Sequence, residues 1–467
     1  MLKMKKTIGL LAVTAVMAAG MLTGCGGDTA KDSSQSGQDT SAEGKTYTIR
    51  IAGNSESQRS ENIIRACDRL TEQLAAEGCT DVVRGEYIMV PNDYQNEMAL
   101  WNKTGDLPEL IVGNVIMMHE FADAGFLTSA EDLINGEVYS QKLLPNMRDA
   151  VLVNGTHYGV PQDVDVRCVW INKEHLKQLG WSEEEMEALP RKAEEGQFTE
   201  GDLQALAKEA VDKGVSEWGI IHRPVFGSEF HLMLMMHGGQ ELYRDGKVVL
   251  DRSALTDTLT FLKQNVDMGL TPPELTTYGW EVVEGDLMPN GKTFCWYGGI
   301  WNKYDMMSAA NVTAQFVDEN FILILPPVVE RGDTPISLSE PQAYAMTKQA
   351  ASDPKLQEYC ERVLEIVLDP DLQMYTTIET AHVAITSEML EYPGYKSDEF
   401  MAKNSYMVEY TTMPVSDPMV RNQFLNASWF TAIQNVEMGS SDVETAVNTL
   451  IDEVTYSVGE GSYIVQD

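Results

Sequence analysis

Asp163 and Asp165 lie two residues apart, so on a strand their carboxylates share one face while Val164 and Val166 take the other. Such a pair suits contact with a ligand. It also suits the acid pair of a glycosidase, whose carboxyl groups stand about 5–5.5 Å apart for retention or roughly 6.5–9.5 Å for inversion. The competing reading is a solvated strand edge. The densest aromatic segment is Phe294-Cys295-Trp296-Tyr297-Gly298-Gly299-Ile300-Trp301. On a strand Trp296 and Tyr297 face opposite sides, so at most one of them reaches a cleft. Gly298 and Gly299 allow close approach of a ligand or a hinge, and Trp301 lies just beyond them. An aromatic strand is also a good core strand, which would bury Trp296 and leave Tyr297 at the surface. Trp170 has the opposite parity from Asp163 and joins it only through a bulge or turn.

Other candidates stand farther apart. Asn54 and Glu56 occupy the loop after the first strand, and ligands of α/β domains gather at the carboxyl ends of strands. Otherwise they cap and turn. Tyr344, following Ser339-Glu340-Pro341-Gln342, and Trp429 are aromatic candidates with core packing as the competitor. None of the seven histidines belongs to a His-Glu-x-x-His motif, and no Gly-x-Ser-x-Gly or phosphate-binding glycine loop occurs. His231 and His237 bracket a Met- and Leu-rich stretch that reads as a buried segment with polar ends.

The elements that must position these residues follow from periodicity. Tyr47–Ile51 alternates as a strand, a helix runs from about Ser60 to Ala76, Glu109–Gly113 is a short buried strand, and Asp163–Ile171 is a third alternating stretch. Apolar stripes predict helices through Leu203–Val211, Leu356–Val367 and Val443–Val454. The second of these enters at Asp353-Pro354 and stops near Asp369-Pro370. Strand, polar loop and helix in alternation indicate α/β domains.

Charge excludes one class of partner. The 71 acidic and 34 basic side chains give −37, or about −40 without Lys3, Lys5 and Lys6, which argues against a nucleic-acid groove. Of six cysteines, five follow Cys25: Cys67, Cys79, Cys168, Cys295 and Cys360. An odd number argues against a fully paired framework, and none is spaced for zinc. Cys67 shares a helical face with Ile63, Leu70 and Leu74 and reads as a buried hydrophobe, with pairing to Cys79 as the alternative.

The N-terminus is basic, then apolar over Ile8–Met21, then small, then Cys25, which is the order of an export signal and too short for a membrane span. Leu22-Thr23-Gly24-Cys25 resembles the bacterial lipoprotein signal; the alternative is cleavage at an Ala/Gly site with Cys25 incidental. The resemblance implies removal of residues 1–24 and diacylation of Cys25, and two acyl chains hold a protein stably at a bilayer. Residues 25–45, rich in Gly, Ser, Asp and Thr, read as a flexible linker.

From residue 46 to about 460 the chain resembles extracellular solute-binding proteins of carbohydrate-type ABC importers. Gly155-Thr156-His157-Tyr158-Gly159-Val160-Pro161, then Val169-Trp170-Ile171-Asn172-Lys173-Glu174-His175-Leu176 and Leu179-Gly180, match one family stretch, with Trp170 where tyrosine is frequent. Gly291–Gly299 resembles a second, departing with Cys295-Trp296 where Ala-Met is usual. Leu325-Pro326-Pro327 and Val367–Gln373 follow in family order. The resemblance implies a periplasmic-binding-protein-like fold: two α/β lobes joined by two or three hinge strands, with an interlobe cleft. Carried over, lobe one takes 46–158 and 300–345, and lobe two takes 159–299 and 346–467. It also implies a monomeric receptor without cofactor, tethered at the extracytoplasmic face of the membrane. Such a receptor binds a small solute, a sugar or oligosaccharide, and serves ABC permease subunits; a lipid-anchored glycoside hydrolase using Asp163 and a surface polymer- or protein-binding module are the alternatives. A sugar needs aromatic plates for its C–H faces and carboxylates or amides for its hydroxyls. The candidate contacts are therefore Asn54, Glu56, Asp163, Asp165, Trp170, Trp296, Tyr297, Trp301, Tyr344 and Trp429.

Overall fold

Alternating apolar segments pair into two separate sheets in the computed structural model, which describes residues 44–53, 57–90, 94–144, 147–413 and 420–467. Residues 1–43, with the leader, Cys25 and most of the linker segment, lie outside the described residues, as do Asn54 and Glu56. The strands of the principal sheets are β1 (Thr46–Gly53), β2 (Val82–Met89), β3 (Leu110–Asn114), β4 (Val160–Asp163), β5 (Arg167–Asn172), β6 (Trp218–Ile221), β7 (Thr293–Gly299), β8 (Phe321–Ile324) and β9 (Gln342–Met346). The first sheet has the order β2-β1-β3-β9-β4 and the second β8-β5-β7-β6. β1 runs parallel to β2 and β3, whereas β9 is antiparallel to β3 and β4. In the second sheet β5 is antiparallel to both β7 and β8, and β6 is parallel to β7.

The helices named below are α1 (Ser57–Ala76), α2 (Tyr94–Thr104), α3 (Val115–Asp123), α4 (Glu200–Asp212), α5 (Ser228–Met236), α6 (Arg252–Asp267), α7 (Asn302–Ala310), α8 (Pro354–Ile366), α9 (Pro370–Thr380), α10 (Ser428–Glu437) and α11 (Val443–Val458). Their starts follow from capping chemistry. Thr199 and Asp202 form a reciprocal capping box on α4. Asp353 caps α8 with Pro354 at its first turn, and Asp442 caps α11. In α1 the expected face of Ile63, Cys67, Leu70 and Leu74 is buried. Cys67 and Cys79 are both free thiols, and Cys79 Sγ lies 3.9 Å from Tyr359 Oη, so the disulfide alternative is not realised.

The alternating stretch Asp163–Ile171 is not one strand. β4 ends at Asp163 in the first sheet and β5 begins at Arg167 in the second, so residues 164–166 are a crossing between sheets. A second crossing, 339–341, returns from the second sheet to β9. A third passage leaves α9, which packs on α1, and reaches α10 and α11 over the second sheet. The three passages are bonded to one another. Val164 and Val383 exchange backbone hydrogen bonds at 2.9 and 2.8 Å, and Ser339 N donates to Thr412 O at 2.9 Å. This places the lobe boundaries elsewhere than the family resemblance implies. β8, inside the expected 300–345 segment of lobe one, is hydrogen-bonded to β5 in the second sheet, while α8 and α9, expected in lobe two, pack on α1 over the first. Short strand patterns do not encode which distant strand they join.

Within the second sheet, side-chain parity divides two cores. Cys168, Trp170, Trp296 and Leu323 enter the core shared with the first sheet and Phe400. Val169, Ile171, Cys295, Tyr297, Ile322 and Ile324 face α4, α6, α10 and α11. Trp170 lies between Phe321 and Phe400, with ring centres 6.0 and 6.1 Å away. Removing such an indole leaves a cavity that the close-packed sheet cannot fill. Trp170→Ala and Trp296→Ala should each lower the unfolding free energy by about 3–5 kcal/mol. Urea unfolding measures this, and a loss below about 1 kcal/mol in both would contradict the core assignment.

Candidate functional site

Arg167 opens β5 with only 3% of its surface exposed, beside the crossing that Asp165 occupies. A guanidinium buried there needs acceptors on several sides. Asp165 Oδ1 lies 3.0 Å from Nη1, Glu340 Oε2 accepts from Nη2 at 3.2 Å, and Glu229 Oε1 lies 3.9 Å from Nε. Glu340 belongs to the second crossing, and its backbone N–H donates to the Asp165 carboxylate. One cation thus binds both crossings. Burial alone would lower the Arg167 pKa; Asp165, Glu340 and Glu229 more than reverse this and raise it. Burial raises Asp165 to about 7; Arg167 opposes the shift, while Glu340 and Glu229 add to it. Glu229 is lowered despite its burial, because Arg223 and Arg167 lie beside it, and Arg223 Nη1 bonds its carboxylate.

Next to this cluster is a cavity of roughly 510 Å³. Its first-sheet wall is Gln95 of α2, Asn114 at the carboxyl end of β3, and Ile116, Met117 and Glu120 of α3. Its second-sheet wall is Arg223 to Ser228, which leads from the carboxyl end of β6 into α5, with His231 one turn on and Leu425 and Asn426 beyond. Glu340 lines it from the crossing. Strand ends from both sheets therefore converge on one space, the position at which α/β sheets take ligands. Asn114 also caps α3, its Oδ1 accepting from Met117 N at 2.9 Å. Ser228 Oγ bonds Glu340, so a cavity wall is fastened to the crossing.

Half-buried aromatics flank the arginines. Trp301 lies 5.0 Å from the Arg167 guanidinium carbon and stacks on His382 at 6.2 Å with 23° between the rings. Trp280 lies under Arg223 at 5.2 Å. Nearby, burial and then the charge of Asp305 push Glu284 up to about 8.

The candidate residues divide sharply. Asp165 and Trp301 join the Arg167 cluster. Asp163 does not share their site: it is fully buried and holds Arg59 of α1 in two contacts of 2.8 and 3.1 Å. With its strand ending there, Asp163 and Asp165 do not act as one carboxylate pair. Trp170 is core, its Nε1 donating to Gly299 O at 2.9 Å. Trp296 is core on the same face, and Tyr297 is buried on the other against Phe261 rather than exposed. Tyr344 is buried with its hydroxyl on Arg59 O at 2.7 Å, and Trp429 is buried with Nε1 on Phe230 O at 3.1 Å. Large rings went to the cores because they bury the most apolar area. Sequence reasoning missed Arg167, Arg223, Glu229, Trp280 and the cavity wall after β6. The Asp165-x-Arg167 spacing, with both residues on one parity, was the available signal.

No family model and no curated sequence matches the chain. Among solved structures it is similar to maltose-bound MalE3 of T. maritima, at 18% identity and TM-score 0.68 over 88% of this chain and 99% of that one. It is likewise similar to an ABC substrate-binding protein of Listeria monocytogenes in complex with cycloalternan, at 18%, TM-score 0.67, and 89% and 99% coverage. A solute-binding protein of Thermotoga lettingae bound with α-D-tagatose matches at 18%, TM-score 0.65, and 89% and 100% coverage. The chain has the fold of these proteins, the periplasmic-binding-protein fold of two α/β lobes.

The buried carboxyls set the pH response of stability. The contributions of Asp165 and Glu284 are fully present below their unfolded values of 3.8 and 4.5, and they are lost as the pH rises through about 7 and about 8. His222 and His237 are raised despite burial, by Glu437 and Glu200 respectively, and act in the same direction. His231 and His175 are lowered by burial and act oppositely, but only below their ordinary 6.5. The unfolding midpoint should therefore fall between about pH 6.5 and 8.5, and Asp165→Asn should flatten the fall. Thermal melts followed by circular dichroism test this; a midpoint that rises over that range would refute it.

Proposed function

We infer that this chain is an extracytoplasmic receptor, lipid-anchored through Cys25, that binds a sugar or oligosaccharide between its two sheets and hands it to an ABC permease. The observation that carries this reading is the cavity built from strand ends of both sheets beside a triple crossing. Amides of Gln95, Asn114 and Asn426, the Glu120 carboxylate and the Phe226 ring offer what a sugar requires: directed polar groups with an aromatic face. The likeness, over 88–89% of the chain, to structures holding maltose, cycloalternan and tagatose supports the same ligand class.

The mechanism follows from the crossings. A solute touching Asn114 on one wall and Ser228 on the other bonds both at once only when the lobes are closed, so it favours the closed state. The permease would read that closed state. Hydrolysis through Asp163 is disfavoured, because its carboxylate is committed to Arg59.

Titration calorimetry against maltose, maltotriose, cycloalternan, α-D-tagatose, amino acids and short peptides should give heat with at least one carbohydrate. Gln95→Ala should weaken that binding by about threefold to tenfold at an unchanged melting temperature, since Gln95 is exposed at the cavity wall. Silence with every sugar would overturn the reading. Separately, metabolic labelling with a fatty-acid analogue should mark the wild-type chain and leave Cys25→Ser unlabelled; equal labelling would remove the lipid anchor.

A further inference from the structure

The first turns of α5 carry Ser228, Glu229 and His231 at the wall of the cavity. Ser228 is bonded to Glu340, and Glu229 to Arg223. His231 lines the cavity at only 4% exposure, and its Nε2 is sealed from solvent without a hydrogen-bond partner. Native proteins rarely bury a polar atom without a partner, and a binding group facing a ligand cavity is one of the few reasons to do so.

We propose that His231 is a direct solute contact whose imidazole bonds a hydroxyl of a neutral, hydroxyl-rich solute, in a cavity that favours neutral over charged solutes. This deepens the receptor reading above and rests on it. Burial, and then the charge of Arg167, push the His231 pKa down to about 4, so the ring is neutral near pH 7. A neutral imidazole offers one N–H and one lone pair. A hydroxyl both donates and accepts, and so answers whichever of the two the ring presents. The rest of the lining agrees. Glu120 and Glu340 would repel an anion, and the Arg223 guanidinium that lines the cavity is already bonded to Glu229 and to Val225 O at 2.9 Å. A cation would find the Glu340 oxygens already taken by Ser228 and Arg167.

Calorimetry on the full chain with maltose, maltotriose and α-D-tagatose as neutral probes, and glucuronate and glucosamine as charged ones, tests the proposal. His231→Ala should weaken the neutral sugar that binds best by about tenfold, and His231→Gln, which keeps a donor and an acceptor, should recover most of it. Melting temperatures without ligand are measured alongside. If the alanine variant is destabilised, His231→Phe keeps the ring's bulk, removes both nitrogens and should show the same loss. The charged sugars should bind the wild type at least about tenfold more weakly than the neutral ones. Unchanged affinity in a folded His231→Ala or His231→Phe protein overturns the proposal and leaves the receptor reading standing. So does glucuronate or glucosamine binding as tightly as the neutral sugars. Silence of the wild type with all five probes overturns both.

Discussion

The structure depends on a buried guanidinium. Arg167 sits where the chain first passes from one sheet to the other, and the carboxylate that completes its coordination comes from the second passage, more than a hundred residues later in the chain. Taking an arginine and its carboxylates out of water is costly, and their attraction offsets that cost only when the geometry satisfies most of the donors. Only Nη2 makes a hydrogen bond, to Glu340, while Nε and Nη1 lie near Glu229 and Asp165 without one, so the two crossings are held together mainly by charge. β5 starts from that point, β9 starts from that point, and the loop after β6 is fastened to it through Arg223, Glu229, Ser228 and Glu340. The cavity inherits its position from this cluster rather than from any one sheet.

Much of the fold was legible because it was written locally. The stripes through Leu203–Val211, Leu356–Val367 and Val443–Val454 became α4, α8 and α11, and the start of α8 stood in the sequence as Asp353-Pro354. The site was less legible, for a physical reason. An aromatic residue on a strand has the same spacing whether it faces a ligand or a core, so Trp170, Trp296, Tyr297, Tyr344 and Trp429 carried no signal to separate the two. Core burial took all five. Trp301, which lies past the end of its strand, escaped that fate. The single strand expected over Asp163–Ile171 failed for a related reason. Val164 and Val166 are buried as alternation requires, but in the crossing between two sheets rather than within one.

Ionisable groups inside the structure are divided by purpose. Asp163 with Arg59 ties α1 to the end of β4, and His222 with Glu437 joins the end of β6 to α10. The cluster at the crossing is open: three carboxylates surround Arg167, and the second arginine, Arg223, reaches the cavity. Such pairs hold elements together, whereas an open cluster beside a cavity keeps polar groups within reach of whatever enters. The overall charge of −37 says nothing of this division, because most of it is borne on the outer surface.

The placement of β9 has a consequence for biosynthesis. It lies between β3 and β4 in the first sheet, yet it is made some 180 residues after β4. A chain delivered amino end first must therefore carry β3 and β4 with unpaired edges until the whole of the second sheet has emerged. Unpaired strand edges invite association with other chains, and pairings that close such long loops form slowly. During delivery the first sheet is thus the vulnerable half, although its earliest strands appear first. The second sheet ends at β8, so it can pair its four strands before β9 exists. The first sheet can therefore be completed only after the second has all its strands.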